Sequence, residues 1–128
     1  MSITELAPVI DVEDLVPLRV GRRWRIVCST ARLIPGRGVA AAVGGQQVAV
    51  FLLASGEVLA VDDRDPFSGA MVLSRGLVGD VDGEPTVASP IYKQRFDLRS
   101  GSCIEDPSMA VRTWPTRINH GRIEVAVS

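Results

Sequence analysis

Two cysteines and one histidine are all the soft metal-ligating side chains in this 128-residue chain. Cys28, Cys103 and His120 are scattered without C-x-x-C or H-x-x-x-H spacing, so they outline neither a zinc nor an iron–sulfur site. Cys28 is expected to end a strand as a small apolar residue, and His120 to sit in a turn. Cysteines so far apart form no disulfide framework and suit a reducing compartment. With His120 the sole imidazole, Ser68 and Ser89 lack a positioned base and are poor candidates as nucleophiles. Aromatic residues are only 5% of the chain while apolar residues make up 46%, so the core must come from Val, Leu, Ile and Ala, which favours strands. Trp24 and Trp114 are expected as core or sheet-face anchors.

Charge of one sign is also missing over long stretches. Residues 1–15 carry Glu5, Asp11, Glu13 and Asp14 but no basic residue, the reverse of the basic start of a secretory signal. Residues 15–56 contain no acid yet hold Arg19, Arg22, Arg23, Arg25, Arg32 and Arg37, and the balance reverses over residues 57–84. With a net charge of −1 and no interleaved aromatic series, the basic stretch reads as a solvated edge or a protein-docking surface, not a nucleic-acid site. The longest apolar run, residues 48–54, falls far short of the about 20 residues that cross a bilayer. The expectation is a soluble, cytoplasmic protein that binds neither membrane nor nucleic acid.

What is present is a series of short strand patterns punctuated by glycine. Residues 24–28 alternate bulky apolar with polar side chains and read as a first strand, broken by Ile34-Pro35-Gly36. Residues 39–43 and 47–53 flank Gly44-Gly45, the Gly-Gly form of a tight hairpin turn. Residues 57–61, 85–88 and 94–98 read as further strands, and residues 111–118 and 122–127 as a closing hairpin around Asn119-His120-Gly121. Residues 62–83, rich in Asp, Pro, Gly and Ser, read as loop. Only residues 13–18 and 107–110 suggest a helical turn. The pattern argues one all-β domain of hairpins packed as a small sandwich or barrel, long enough to bury roughly two thirds of its unfolded surface.

Two segments within and after the loop stand out: Asp65-Pro66-Phe67-Ser68-Gly69 and Ser89-Pro90-Ile91-Tyr92. Residues 61–101 resemble the cluster-binding half of Rieske ferredoxin domains. Leu73-Ser74-Arg75-Gly76, Phe96 and Arg99-Ser100-Gly101 stand where such domains keep their Leu-Ser, aromatic and Thr-Gly-like landmarks. A Rieske centre takes two cysteines and two histidines, one of each from a C-x-H and from a later C-x-x-H. In that frame Pro66 and Ser68 occupy the first pair of ligand positions, and Ser89 and Tyr92 the second. Proline offers no donor atom, while serine and tyrosine offer hard oxygens, the phenol holding its proton to a pKa of about 10. More narrowly, Asp63-Arg64-Asp65-Pro66-Phe67-Ser68-Gly69-Ala70 followed by Ala88-Ser89-Pro90-Ile91-Tyr92-Lys93-Gln94-Arg95-Phe96 is similar to the small subunits of NAD(P)H-dependent assimilatory nitrite reductases. That similarity spans roughly residues 24–127.

The resemblance implies a Rieske-like, all-β fold of antiparallel hairpins over residues 23–128, with a loop-rich cluster-type subdomain inserted at about 62–101 and an N-terminal extension at 1–22. It implies no catalytic residue, metal or cofactor in this chain. The partner would be a large subunit carrying FAD, siroheme and its own iron–sulfur cluster, which reduces nitrite to ammonium in nitrate assimilation. The competing class is a free-standing, cluster-less interaction module for another oxidoreductase. Candidate partner-binding residues are Arg64, Asp65, Phe67, Tyr92, Lys93 and Arg95. Pro66-Phe67-Ser68 is either a recognition loop or a turn with Phe67 in the core. Tyr92 meets the partner, fills the volume a cluster would occupy, or does both. Asp62, Asp63 and Asp65 lack the Gly and distal Glu of a calcium loop and are expected as a solvated, partner-facing acidic edge.

Overall fold

The computed structural model describes residues 23–127, which form ten strands in three antiparallel sheets and no α-helix. The strands are β1 (Arg23–Ser29), β2 (Gly38–Val43), β3 (Gln46–Leu52), β4 (Val58–Asp62), β5 (Leu77–Val81), β6 (Glu84–Ala88), β7 (Arg95–Asp97), β8 (Thr113–Trp114), β9 (Thr116–Asn119) and β10 (Arg122–Val127). Their order is β1-β10-β9 in one sheet, β2-β3-β4-β8 in the central sheet and β5-β6-β7 in the third. The helical turn expected at 13–18 lies outside the described residues.

The central sheet is covered on both faces, which explains why residues 48–52 of β3 are an unbroken apolar run instead of an alternating one. Val48 and Val50, with Val43, Val58 and Ala60, pack one face against Ile123 and Val125 of β10. Ala49, Phe51 and Val61 pack the other face against Leu73, Val87, Phe96, Leu98, Cys103 and Val111. Successive strand residues point to opposite faces, so one run supplies two cores. Each fully buried Val, Leu, Ile or Phe stabilises the fold by roughly 1.5–3 kcal/mol.

Both expected tight turns form: Val43 pairs with Gln46 around Gly44-Gly45, and Asn119 pairs with Arg122 around His120-Gly121. Three sequence expectations are corrected. Residues 62–83 are not all loop, because β5 pairs with β6 as a hairpin around Asp82-Gly83. Both turn residues adopt positive φ, 52° and 86°, as a type I′ turn requires. Residues 111–118 are not one strand: Pro115, which has no N–H to donate, separates β8 in the central sheet from β9 in the outer one. Residues 107–110 form no helical turn: 107–109 belong to a β-turn closed by Met109 N–H on the Asp106 carbonyl at 2.9 Å, and Ala110 bridges Ser102.

The tryptophans sit on sheet surfaces, half-buried. The Arg117 guanidinium lies 4.1 Å over the Trp24 ring and that of Arg112 4.9 Å over Trp114.

Candidate functional site: two loops closed on each other

Leaving the central sheet at β4, the chain enters a tight loop shaped by two aspartates. Asp63 N–H donates to the Gln47 carbonyl at 3.1 Å, and its carboxylate accepts from Gln47 Nε2 at 2.6 Å and from Ser74 N–H at 2.7 Å. Two residues on, Asp65 accepts from Phe67 N–H at 2.9 Å through Oδ1, an Asx turn. Gly69 N–H returns to the Asp65 carbonyl at 2.7 Å, and Asp65 N–H donates to Ala70 at 2.8 Å. The second loop follows β6. Ser89 N–H donates to the Gln94 carbonyl at 2.9 Å and Lys93 N–H to that of Ser89 at 3.0 Å, with Lys93 at a φ of 68°. Ser89 Oγ then crosses to the first loop and donates to Asp65 Oδ2 at 2.6 Å.

The aspartates therefore do not form the solvated acidic edge expected of them. Asp63 and Asp65 are both 0% exposed, and Asp62 is half-buried, accepting from Trp114 Nε1 at 2.9 Å and Arg112 Nε at 3.1 Å. A buried carboxylate is tolerated only when its oxygens are hydrogen-bonded, and these are. Asp65 thus leaves the set of direct partner-binding candidates. Burial pushes its carboxyl up, but hydrogen bonds from Ser89, the Phe67 amide and Ser68 together outweigh this and hold it below its ordinary value.

The four ligand positions do not fit a [2Fe–2S] centre. Pro66 has no donor, the Ser89 hydroxyl is engaged by Asp65, and Ser68 Oγ accepts from Ala70 N–H at 3.2 Å. Tyr92 is 58% exposed, so it does not fill a cluster-sized volume, and the packing role offered for it is overturned. Phe67 is the residue that packs inward, its ring 6.1 Å from Phe96 and tilted by 49°. Cys28 packs on the β10 side of the central sheet and Cys103 in the opposite core. Burial pushes the Cys28 thiol up against the pull of Arg32. Among the described residues, no group of three or more His, Cys, Asp or Glu is placed to hold a metal ion.

Around the closure, Arg64, Tyr92, Lys93 and Arg95 are exposed. Arg95 is held by Glu105 at 2.6 Å from Nε and 2.8 Å from its own amide, contacts that keep the Glu105 carboxyl below its ordinary value. Lys93 Nζ donates to the Pro90 carbonyl at 3.1 Å. Sequence reasoning missed two exposed apolar neighbours, Met71 and Ile91, at 47% and 42%. Met71 bridges Arg64 across the first loop, and Ile91 sits between Pro90 and Tyr92, in a turn where no strand period could bury it.

The comparisons with known proteins agree with this geometry. Residues 23–126 match the model of the Rieske-like [2Fe-2S] domain family. The nitrite reductase (NADH) small subunit of Salmonella typhimurium is 42% identical over 104 residues, covering 80% of this chain and 96% of that one. A solved structure of a candidate NADH-dependent nitrite reductase small subunit from Mycobacterium tuberculosis superposes with a TM-score of 0.82 at 49% identity, over 84% of this chain and 97% of that one. The nitrite reductase [NAD(P)H] large subunit of Klebsiella oxytoca is 40% identical over 109 residues, 85% of this chain but only 11% of that far longer one. With fold, altered motifs and relatives in agreement, the chain belongs to the Rieske-like domain family, on the branch of the nitrite reductase small subunits.

Proposed function

We propose that this chain is the accessory small subunit of an NAD(P)H-dependent nitrite reductase, docking on a large flavin and siroheme subunit and carrying no electrons itself. The observation that carries the reading is the occupancy of the ligand positions: Pro66, Ser68, Ser89 and Tyr92 offer no thiolate or imidazole, and Ser89 is bound to Asp65. A Rieske scaffold without its ligands keeps rigid loops on a β framework, which is how binding surfaces are commonly built. The Klebsiella relative supports the partner, since a segment similar to this chain lies inside a chain named as the large subunit. Docking falls to Arg64, Tyr92, Lys93 and Arg95, with Phe67 bracing the first loop on Phe96; aromatic and arginine side chains are the usual anchors of interfaces. Residues 23–128 form the docking domain behind the extension at 1–22, and the assembly works in the cytoplasm in nitrate and nitrite assimilation.

The test is an affinity pull-down of the full chain from cells grown on nitrite as sole nitrogen source, with the eluate's absorption spectrum and NAD(P)H-dependent nitrite consumption measured. Co-elution of an active siroheme flavoprotein is expected. The isolated chain, purified anaerobically, should be colourless; iron with acid-labile sulfide in it would overturn the non-redox reading. Consistent recovery of a different oxidoreductase would establish the free-standing module instead.

A further inference from the structure

A Rieske centre takes one cysteine and one histidine from each of its two motifs, so the cluster is also a cross-link between two loops. In this chain the ligands are gone, yet the loops remain joined. Ser89 and Asp65, 24 positions apart, are both 0% exposed and share a 2.6 Å hydrogen bond. The bond runs from a hydroxyl to a carboxylate in a dry setting, which makes it stronger than an exposed neutral one. Each partner also shapes its own loop: Asp65 Oδ1 accepts from Phe67 N–H at 2.9 Å, and Ser89 Oγ accepts from Ile91 N–H at 3.2 Å. One oxygen of Asp65 holds its own turn while the other reaches across. Ser89 stands in a ligand position itself, and Asp65 directly precedes another, Pro66.

We infer that the Asp65–Ser89 hydrogen bond replaces the iron–sulfur cluster as the cross-link between the two loops. Asp65 and Ser89 are then positioning residues, setting the exposed side chains of Arg64, Tyr92 and Lys93 without touching a partner. The inference does not depend on which partner the loops meet.

Native-state hydrogen exchange on the full chain tests it, because each substitution can be read on the opposite loop. Ser89→Ala is expected to speed exchange of the Gly69 amide, which bonds the Asp65 carbonyl, by at least about tenfold. Asp65→Ala, which removes the acceptor, should do the same for the Lys93 amide, which bonds the Ser89 carbonyl. The Val50 amide in β3 should keep its wild-type rate in both variants. The double variant should open the loops by less than the sum of the two single effects, as expected where two residues share one contact. Unchanged protection on the opposite loop would overturn the inference. So would an equal rise at Val50, which marks a general loss of stability, or effects that simply add.

Discussion

Asp65 and the ion-paired carboxylates of Glu57 and Glu105 make the chain's stability respond to acid in a defined direction. Glu57 is lowered chiefly by its bond with the Arg99 guanidinium, and Glu105 by the Arg95 amide. All three have folded-state values below their ordinary ones, so their contribution is fully present above the unfolded-state values of about 4. It is lost as pH falls through the lower folded values. Asp65→Asn should therefore melt at a lower temperature than wild type at pH 7, with the gap narrowing below about pH 4. Melting curves of both proteins from neutral to strongly acid pH check this, and a constant gap would refute it. At the exposed tip the expectation differs. Tyr92→Ala should leave the melting temperature unchanged, since the ring is 58% exposed, and, under the proposed docking role, weaken binding to the large-subunit partner by at least about tenfold. Calorimetry or surface binding with the purified partner measures it.

Elements meet closely where the third sheet joins the central one. After the 3-10 turn Leu73–Arg75, Gly76 lies so near β6 that an added Cβ would stand 2.4 Å from the Ala88 carbonyl and 2.6 Å from a Val87 methyl. Gly76→Ala should destabilise the fold by about 2–4 kcal/mol, because the obstacle is backbone. Denaturant unfolding reads the change. On the outer sheet, Glu124 of β10 is buried and held by Arg117 Nε of β9 at 2.6 Å, under the Arg117–Trp24 stack. Arg117→Ala leaves that carboxylate, among the described residues, with only the Asn119 amide at 3.5 Å and should cost about 1–3 kcal/mol by the same measurement. Element boundaries also show what the sequence conveyed. The Gly44-Gly45 and His120-Gly121 hairpins were legible because a turn separates two apolar runs. β5 was not, because Gly79 and Asp80 interrupt it, although Asp82-Gly83 was a hairpin signal in its own right.

For the whole molecule, the arrangement is a central sheet holding two cores apart, with the cluster-type loops attached to only one of them. Phe51, fully buried on that side, packs with Leu73 and Phe96, the latter also touching Phe67 of the first loop. Phe51→Ala should destabilise the chain by about 3–5 kcal/mol. Because Phe96 of the same core also touches Phe67 of the first loop, the variant should also weaken binding to the proposed large-subunit partner. A thermal melt and a binding assay on one variant test both statements.

The sequence by itself determined the all-β class, most strand positions, the family and the chemistry of the altered ligand positions. These are local properties: strand period, turn residues, and whether a side chain carries a thiolate or imidazole. It could not say which way the acidic residues face, because Asp is polar in any context and only the partners supplied by Gln47, Ser74 and Ser89 let it be buried. Nor could it say whether Tyr92 is buried or exposed, which depends on what packs around it. The tertiary structure decided both, by bringing residues far apart in the chain into contact: Asp65 turned inward to close on Ser89, and Tyr92 was left facing solvent.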